Sequence, residues 1–120
     1  MAKIIALDDV LDAANLIKRI LERKGHTVTA FTEEEDAISF VESNTVDLAV
    51  LDIKLKKMSG VEVLEELKKR VPSIRAIMLT GYPTIETARE CIKLGAAEYC
   101  VKPIDKDELE DKVSQVLQGS

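Results

Sequence analysis

The sequence has few of the residues from which zinc sites and disulfides are built, and no long apolar run. It contains one histidine and two cysteines among 120 residues, and Cys91 and Cys100 form neither a metal-binding nor a redox motif. No apolar stretch approaches the ~20 residues that cross a bilayer. We expect no secretory signal, because Lys3 is followed directly by a strand-like run and two aspartates. These features predict a cytoplasmic protein with two buried, reduced thiols and no membrane contact.

Acidic residues outnumber basic ones, 22 to 17, which gives a net charge of −5. We therefore do not expect the domain to bind nucleic acid by itself. The single histidine, His26, follows Gly25 at a predicted helix end, where a cation is favourable. Since no neighbouring residue would make His26 a base or a metal ligand, we expect it to have no catalytic role.

Five short apolar runs alternate with five amphipathic segments, and linkers and repeats are absent. The runs cover residues 3–7, 27–31, 46–51, 74–79 and 98–101, and the predicted helices cover 11–24, 32–44, 61–71, 84–94 and a last segment that follows Asp105. Such alternation predicts an α/β, doubly wound, five-stranded parallel sheet of strand order 2-1-3-4-5, which is the flavodoxin-like (βα)5 fold. We expect residues 1–120 to form this single domain.

Two details of the helices are also predicted. In the first helix, the apolar stripe consists of Leu16, Ile17, Ile20 and Leu21. In the second helix, Thr32 has Glu35 three residues later, which is the spacing of a capping box.

Four of the apolar runs end in a residue that can take part in phosphoryl chemistry. These residues are Asp8-Asp9, Asp52, Thr80 and Lys102. Parallel strands bring their carboxyl ends to one edge of the sheet, so we expect the four side-chain groups to converge there. Three carboxylates within ~5 Å repel one another by a few kcal/mol per pair at an effective dielectric of ~20, so they either protonate or hold a cation. Oxygen ligands alone favour Mg²⁺ or Mn²⁺.

A carboxylate beside such an ion can attack phosphorus and form an acyl phosphate. The Lys102 ammonium and the Thr80 hydroxyl can stabilise two phosphoryl oxygens, and Gly81 leaves room for the group to enter. Taken singly, each residue has a simpler interpretation. Asp8 can cap a helix, Asp52 can be a loop carboxylate and Thr80 can be a turn residue. The set and its spacing favour the phosphoryl site.

The ordered set resembles the receiver domain of two-component response regulators, the CheY-like superfamily, over about residues 3–117. The residues that carry the resemblance are Asp8-Asp9, Asp52 within Leu51-Asp52-Ile53-Lys54-Leu55, Met58-Ser59-Gly60, Thr80-Gly81 and Tyr99-Cys100-Val101-Lys102-Pro103.

The resemblance implies a phosphorylation site and a metal site that share residues. It identifies Asp52 as the phosphoacceptor and Lys102 as the lysine that binds the phosphoryl group. It implies that Mg²⁺ is held by Asp8, Asp9, Asp52 and the backbone carbonyl of Lys54.

The resemblance also implies a switch. Thr80 is the switch hydroxyl, Tyr99 is the switch aromatic, and the Lys102-Pro103 peptide bond is expected to be cis. Phosphorylation should change the face made by the fourth helix, the fifth strand and the fifth helix, with Ala88, Cys91 and Tyr99 on or near it. That face is also expected to form a homodimer.

The implied partner is a sensor histidine kinase or a phosphotransfer protein. The implied role is signalling, with no enzyme activity beyond self-phosphotransfer and autodephosphorylation. Residues 79–88 resemble receivers that are joined to ATP-dependent, enhancer-binding transcription activators. The regulated process and any output domain are not indicated.

Two lysines depart from the family pattern. Lys56 stands where the family usually has proline, so the loop after Asp52 is expected to be more mobile. The ammonium of Lys54 can compete with Mg²⁺, contact the phosphoryl group or point to solvent.

Three alternative functions are less consistent with the sequence. A Mg²⁺-dependent aspartyl phosphatase of the haloacid-dehalogenase type needs an aspartate where Lys54 stands, and a cap for which no sequence remains. A phosphorylation-independent interaction domain would not need the complete acidic set and Lys102. Nucleotide binding is disfavoured because Asp8-Asp9-Val10 lacks phosphate-cradling glycines.

Overall fold

Strand and helix alternate five times in the computed structural model, which describes residues 1–55 and 57–119. The strands are β1 (Lys3–Leu7), β2 (Thr27–Phe31), β3 (Leu48–Asp52), β4 (Arg75–Thr80) and β5 (Glu98–Val101). The helices are α1 (Leu11–Glu22), α2 (Glu34–Ser43), α3 (Gly60–Arg70), α4 (Ile85–Lys93) and α5 (Lys106–Gln118). The sheet is parallel with order β2-β1-β3-β4-β5, which confirms the predicted fold class. The expectation about Lys56 lies outside the described residues.

The strand register aligns the carboxyl ends of the central strands. Leu7 of β1 pairs with Leu51 of β3, so the residues that follow them, Asp8 and Asp52, are neighbours at the sheet edge. On the other side of β3, Asp52 pairs with Leu79, one residue before the end of β4. The order of the strands therefore brings distant parts of the sequence to one place.

A buried apolar layer covers each face of the sheet. Alternate residues of a strand point to opposite faces, so Ile5 and Leu7 join the layer under α2, α3 and α4, whereas Ile4 and Ala6 join the layer under α1 and α5. Strand β3 is buried along its whole length. These two layers hold the carboxyl edge of the sheet in a fixed geometry. Within the described ranges, no helix is long and apolar enough to cross a membrane.

The predicted stripe of α1 was wrong at one position. Leu16 is 39% exposed, whereas Ala14 is fully buried together with Ile17, Ile20 and Leu21. Ala14, Ile17 and Leu21 follow a spacing of three and four residues, so one helix face carries them while Leu16 turns toward solvent. Helix α1 also ends at Glu22 rather than at residue 24.

The predicted capping box at Thr32 and Glu35 was wrong. Helix α2 begins at Glu34, its N-cap residue is Glu33, and that side chain makes no capping hydrogen bond. The same spacing forms a capping box at α3 instead. There, the Ser59 hydroxyl accepts from the Glu62 N–H at 3.2 Å, and the Glu62 carboxylate accepts from the Ser59 N–H at 3.1 Å.

Candidate functional site

Three carboxylates meet at the carboxyl edge of the sheet. Asp8 and Asp9 follow β1, and Asp52 ends β3. Asp8 and Asp52 are buried and Asp9 is half-buried. One oxygen of each carboxylate lies within 4.8 Å of one oxygen of each of the other two. The expected convergence of these three residues is therefore present in the structure.

Lys102 is the counter-charge of this cluster. Its Nζ lies 2.7 Å from Oδ2 of Asp8 and 3.2 Å from Oδ2 of Asp52. The backbone holds the lysine in place, because the Lys102 N–H donates to the Thr80 carbonyl at 2.7 Å. The Lys102-Pro103 peptide bond is cis, as the resemblance implied. Asp8 is fixed at its other oxygen, since Oδ1 accepts from the Val10 N–H at 2.9 Å.

The electrostatics of the cluster favour a divalent cation. Burial raises the pKa of Asp52, the Asp8 charge raises it further, and Lys102 only partly offsets both effects. Burial alone would lower the pKa of Lys102, but the bonds and charges of Asp8 and Asp52 outweigh it and the pKa lies above its usual value. Three carboxylates and one ammonium leave a formal charge of minus two, which one divalent ion would neutralise.

The donor set fits a small, hard cation. Every side-chain donor is a carboxylate oxygen, which suits Mg²⁺ or Mn²⁺. Ligand atoms around an octahedral Mg²⁺ lie about 3–4 Å apart, so oxygens already within 4.8 Å need only a small contraction. The Lys54 backbone also lies beside this cluster, because its N–H donates to Oδ1 of Asp52 at 3.3 Å.

The side chain of Lys54 points to an aromatic ring. Its Nζ lies 4.5 Å from the centroid of the Tyr82 ring, at a distance typical of a cation–π contact. Lys54 is exposed, so the structure supports neither the competition with Mg²⁺ nor the phosphoryl contact that its position in the sequence left open. A cleft of about 420 Å³ lies between the loop after β3 and the loop after β4, and Thr80 is one of the residues that line it.

The loop after β3 depends on a close backbone approach. A β-carbon on Gly60 would lie 2.2 Å from the carbonyl oxygen of Asp52, and the Gly60 N–H donates to the Ile53 carbonyl at 2.7 Å. Among the described residues, and apart from Gly81 and its two chain neighbours, no heavy atom lies within 4 Å of a β-carbon placed on Gly81. Gly60 therefore brings α3 against the end of β3, and Gly81 borders open space as expected.

The hydroxyl groups of both expected switch residues are buried. Thr80 is buried, and its hydroxyl accepts from the Tyr82 N–H at 3.0 Å. The Tyr99 hydroxyl is buried and, among the described residues, has no hydrogen-bond partner within normal geometry. Burial raises the pKa of Tyr99, the neighbouring Cys91 adds to this, and the approach to the Thr84 backbone partly offsets it.

Cys91 and Cys100 are buried free thiols, as predicted. Cys91 is fully buried in the apolar layer with Tyr99 packed against that layer, so it lies beneath the expected signalling face rather than on its surface. His26 lies at the amino end of the strands, where its Nδ1 accepts from the Ala2 N–H at 3.1 Å. Burial and nearby positive charges lower its pKa, so this position does not favour the cation that the sequence suggested.

Glu34 is a site residue that the sequence interpretation missed. It is 2% exposed, although it is a carboxylate. Its Oε2 accepts from the N–H groups of Lys57 and Met58 at 2.7 and 3.0 Å, in the loop that follows Asp52. Glu34 lies in the run Glu33-Glu34-Glu35-Asp36, at the start of α2. No sequence signal distinguishes the buried member of that run.

The comparisons with known proteins identify the family. The family model described as "Response regulator receiver domain" matches residues 4–114, and the chain belongs to this family of signalling domains. Among curated proteins, it is 32% identical over 114 residues to Transcriptional regulatory protein ZraR of Klebsiella oxytoca, covering 95% of this chain and 26% of that protein. It is 30% identical over 115 residues to Sporulation initiation phosphotransferase F of Bacillus subtilis, covering 96% of this chain and 93% of that protein.

Solved structures agree with this assignment. A receiver domain protein described as CheY-like, from Methanospirillum hungatei, has a TM-score of 0.94 and 31% sequence identity, covering 98% of this chain and 94% of that chain. The chain spans about a quarter of the length of the ZraR proteins that it matches. The recognition of the receiver family from its motif residues is therefore confirmed.

Proposed function

We propose that residues 1–120 form a phosphoacceptor receiver domain of a two-component system. Asp52 takes a phosphoryl group from a sensor histidine kinase or a phosphotransfer protein, in a reaction that depends on Mg²⁺ or Mn²⁺. The observation that carries this proposal is the convergence of three carboxylates and one lysine at the carboxyl edge of the sheet. The family supports a signalling role, and its relatives include a protein named as a phosphotransferase.

In this proposal, the acidic residues hold the cation and Asp52 is also the nucleophile. Asp8, Asp9, Asp52 and the Lys54 carbonyl hold the cation, which supplies charge neutralisation for the incoming phosphoryl group. An oxygen of Asp52 forms the new bond to phosphorus while the bond from phosphorus to the donor breaks, so that the product is an aspartyl phosphate.

Lys102 is the residue proposed to bind the phosphoryl group of the product. Its ammonium contacts both Asp8 and Asp52, so it can turn to a phosphoryl oxygen without crossing the site. An ammonium held at this distance stabilises charge on the phosphoryl group with little reorganisation. The cluster has no separate substrate in this proposal, and its chemistry is limited to self-phosphotransfer and autodephosphorylation.

In this proposal, Thr80 and Tyr99 link phosphorylation of Asp52 to a conformational change of the α4-β5-α5 face. The Thr80 hydroxyl accepts from the Tyr82 N–H, so its own proton remains free to donate to a phosphoryl oxygen. Movement of Thr80 toward Asp52 would carry the loop before α4 with it, and Tyr99 would adjust to the new space. The proposed signal is a shift in the population of two conformations of the α4-β5-α5 face.

The same face is the proposed site of homodimer formation. Ile92 of α4 and Val101 of β5 are apolar side chains that are 69% and 46% exposed. The likeness to a transcriptional regulatory protein supports an output in transcription, of the enhancer-binding activator type that residues 79–88 resemble. The proposed setting is the cytoplasm.

Phosphorylation with a small-molecule donor tests the proposal. The protein is incubated with acetyl phosphate, with and without Mg²⁺, and its intact mass is measured. We expect one phosphoryl group on the wild type only when Mg²⁺ is present, and none on Asp52→Asn. Failure of the wild type to gain mass, or gain of the same mass by Asp52→Asn, would contradict the proposal.

A further inference from the structure

A buried carboxylate of α2 holds the loop that joins β3 to α3. The backbone N–H groups of Lys57 and Met58 both donate hydrogen bonds to the same oxygen of Glu34, Oε2. A charged acceptor makes stronger hydrogen bonds than a neutral one. Burial alone would raise the pKa of Glu34, but the bonds from its own backbone, Met58 and Lys57 outweigh it and the pKa lies below its usual value. The carboxylate is therefore ionised and bound.

The acidic residues on each side of Glu34 contact a side chain rather than the loop backbone. Glu33 and Glu35 approach the ammonium of Lys57 at 3.4 and 3.7 Å, and all three side chains are largely exposed. Exposed ion pairs of this kind contribute little to stability. Of the three consecutive glutamates, only Glu34 is buried and binds the loop backbone.

The loop is attached at both ends and in the middle. At its start, the Lys54 N–H donates to Asp52. At its end, the Ser59 capping box and the contact of Gly60 with Ile53 hold the first turn of α3. The bonds to Glu34 lie between these attachments and link the loop to a different layer of the fold.

We propose that Glu34 is a positioning residue, which holds the β3–α3 loop in the conformation that presents the Lys54 carbonyl to the cation. The inference rests on the proposed function, because it assumes that the cation binds beside Asp52. Within the described residues, the side-chain hydrogen bonds of Glu34 go to Lys57 and Met58 and not to the acidic cluster. Glu34 acts through the loop backbone, as outer partners of metal ligands do when they fix the ligand geometry.

A Mg²⁺ titration of matched variants tests this role. The variants are Glu34→Ala, which removes the acceptor, Glu34→Gln, which keeps a neutral acceptor, and Glu35→Ala, which removes one charge from the same helix end without touching the loop backbone. Circular dichroism checks that each variant is folded. Two quantities are then measured: the Mg²⁺ dissociation constant, and amide hydrogen exchange of Lys57 and Met58 without Mg²⁺.

We expect Glu34→Ala to weaken Mg²⁺ binding on the order of tenfold, the lower end of the effect of outer partners of metal ligands. Its Lys57 and Met58 amides should exchange about tenfold faster or more, because they lose a charged acceptor. Glu34→Gln should give a smaller change in both quantities, and Glu35→Ala should match the wild type. If Glu34→Ala fails to fold, Glu34→Gln carries the same comparison.

The outcomes separate this inference from the proposed function. If wild type and Glu34 variants bind Mg²⁺ equally well while the variants only unfold more easily, Glu34 is a structural residue and the inference is wrong. If Glu35→Ala weakens Mg²⁺ binding as much as Glu34→Ala, the effect is one of overall charge and the inference is also wrong. Absence of Mg²⁺ binding by the wild type would contradict the proposed function itself.

Discussion

Gly60 lies so close to Asp52 that a β-carbon on Gly60 would be 2.2 Å from the Asp52 carbonyl oxygen. The neighbouring atoms are backbone atoms at the end of a buried strand, so they have little freedom to move. The glycine thus sets the distance between the first turn of α3 and the proposed phosphorylation site.

Gly60→Ala should therefore destabilise the domain. We expect a loss of about 1–3 kcal/mol or more in the free energy of unfolding, as for other overpacked sites, measured by urea denaturation. Gly81→Ala is the matched control, because its β-carbon would meet no heavy atom within 4 Å among the described residues beyond its chain neighbours. It should change the free energy of unfolding by no more than about 0.5 kcal/mol. Equal stability of the two variants would contradict the proposed steric role of Gly60.

Acid should weaken the fold partly through Glu34. The folded pKa of Glu34 lies below its usual value, so folding favours the ionised form. Its contribution to stability is complete above the unfolded pKa and is lost as the pH falls through the folded pKa. The free energy of unfolding of wild type and Glu34→Gln, measured from neutral pH into acid, should converge in that range. If the two proteins differ in the free energy of unfolding by an amount that is independent of pH, the lowered pKa of Glu34 is contradicted.

Mg²⁺ should stabilise the protein through the acidic cluster. A ligand that binds only the folded state adds about 1.4 kcal/mol at ten times its dissociation constant, so the melting temperature should rise with Mg²⁺. Asp9→Ala should remove most of this rise, whereas Asp12→Ala, which changes an exposed residue of α1, should retain it. An unchanged melting temperature at saturating Mg²⁺ would contradict the metal site.

The proposed switch depends on the hydroxyl of Thr80. Beryllofluoride, a phosphate mimic, should shift amide signals of α4 and β5 in the wild type, measured by NMR. Thr80→Ala should still be phosphorylated on Asp52 but should lose these distant shifts. Thr80→Ser, which keeps the hydroxyl, should retain them. If Thr80→Ala behaves as the wild type does, this face does not receive the signal through Thr80.

Much of the fold was predictable because it depends on local patterns. The apolar runs, the cap at Asp105 and the glycines after α1 and α4 mark the elements, and Gly25 and Gly95 have the positive φ angles that such helix ends need. The two wrong details concern choices that local patterns leave open. The spacing of a capping box occurs at both Thr32 and Ser59. The box forms only where that residue is also the N-cap of the helix, as Ser59 is and Thr32 is not.

The acidic cluster was predictable because parallel strands end at one edge, which places Asp8 beside Asp52. The role of Glu34 was not predictable in this way. Its partners are backbone N–H groups 23 and 24 residues away in the sequence. Nearly every residue type has a backbone N–H group, so the sequence does not indicate which of them donate to a side chain. The contact of Lys54 with Tyr82 is similar, since it depends on how two loops approach each other.

Chemical identification of the phosphorylated residue decides whether Asp52 is the phosphoacceptor. The protein is treated with acetyl phosphate and Mg²⁺, the acyl phosphate is reduced with borohydride, and peptides are mapped by mass spectrometry. Reduction converts an aspartyl phosphate to homoserine, so we expect homoserine at position 52 of the wild type, dependent on Mg²⁺. Homoserine at Asp8 or Asp9 instead, with equal labelling of Asp52→Asn, would contradict this expectation.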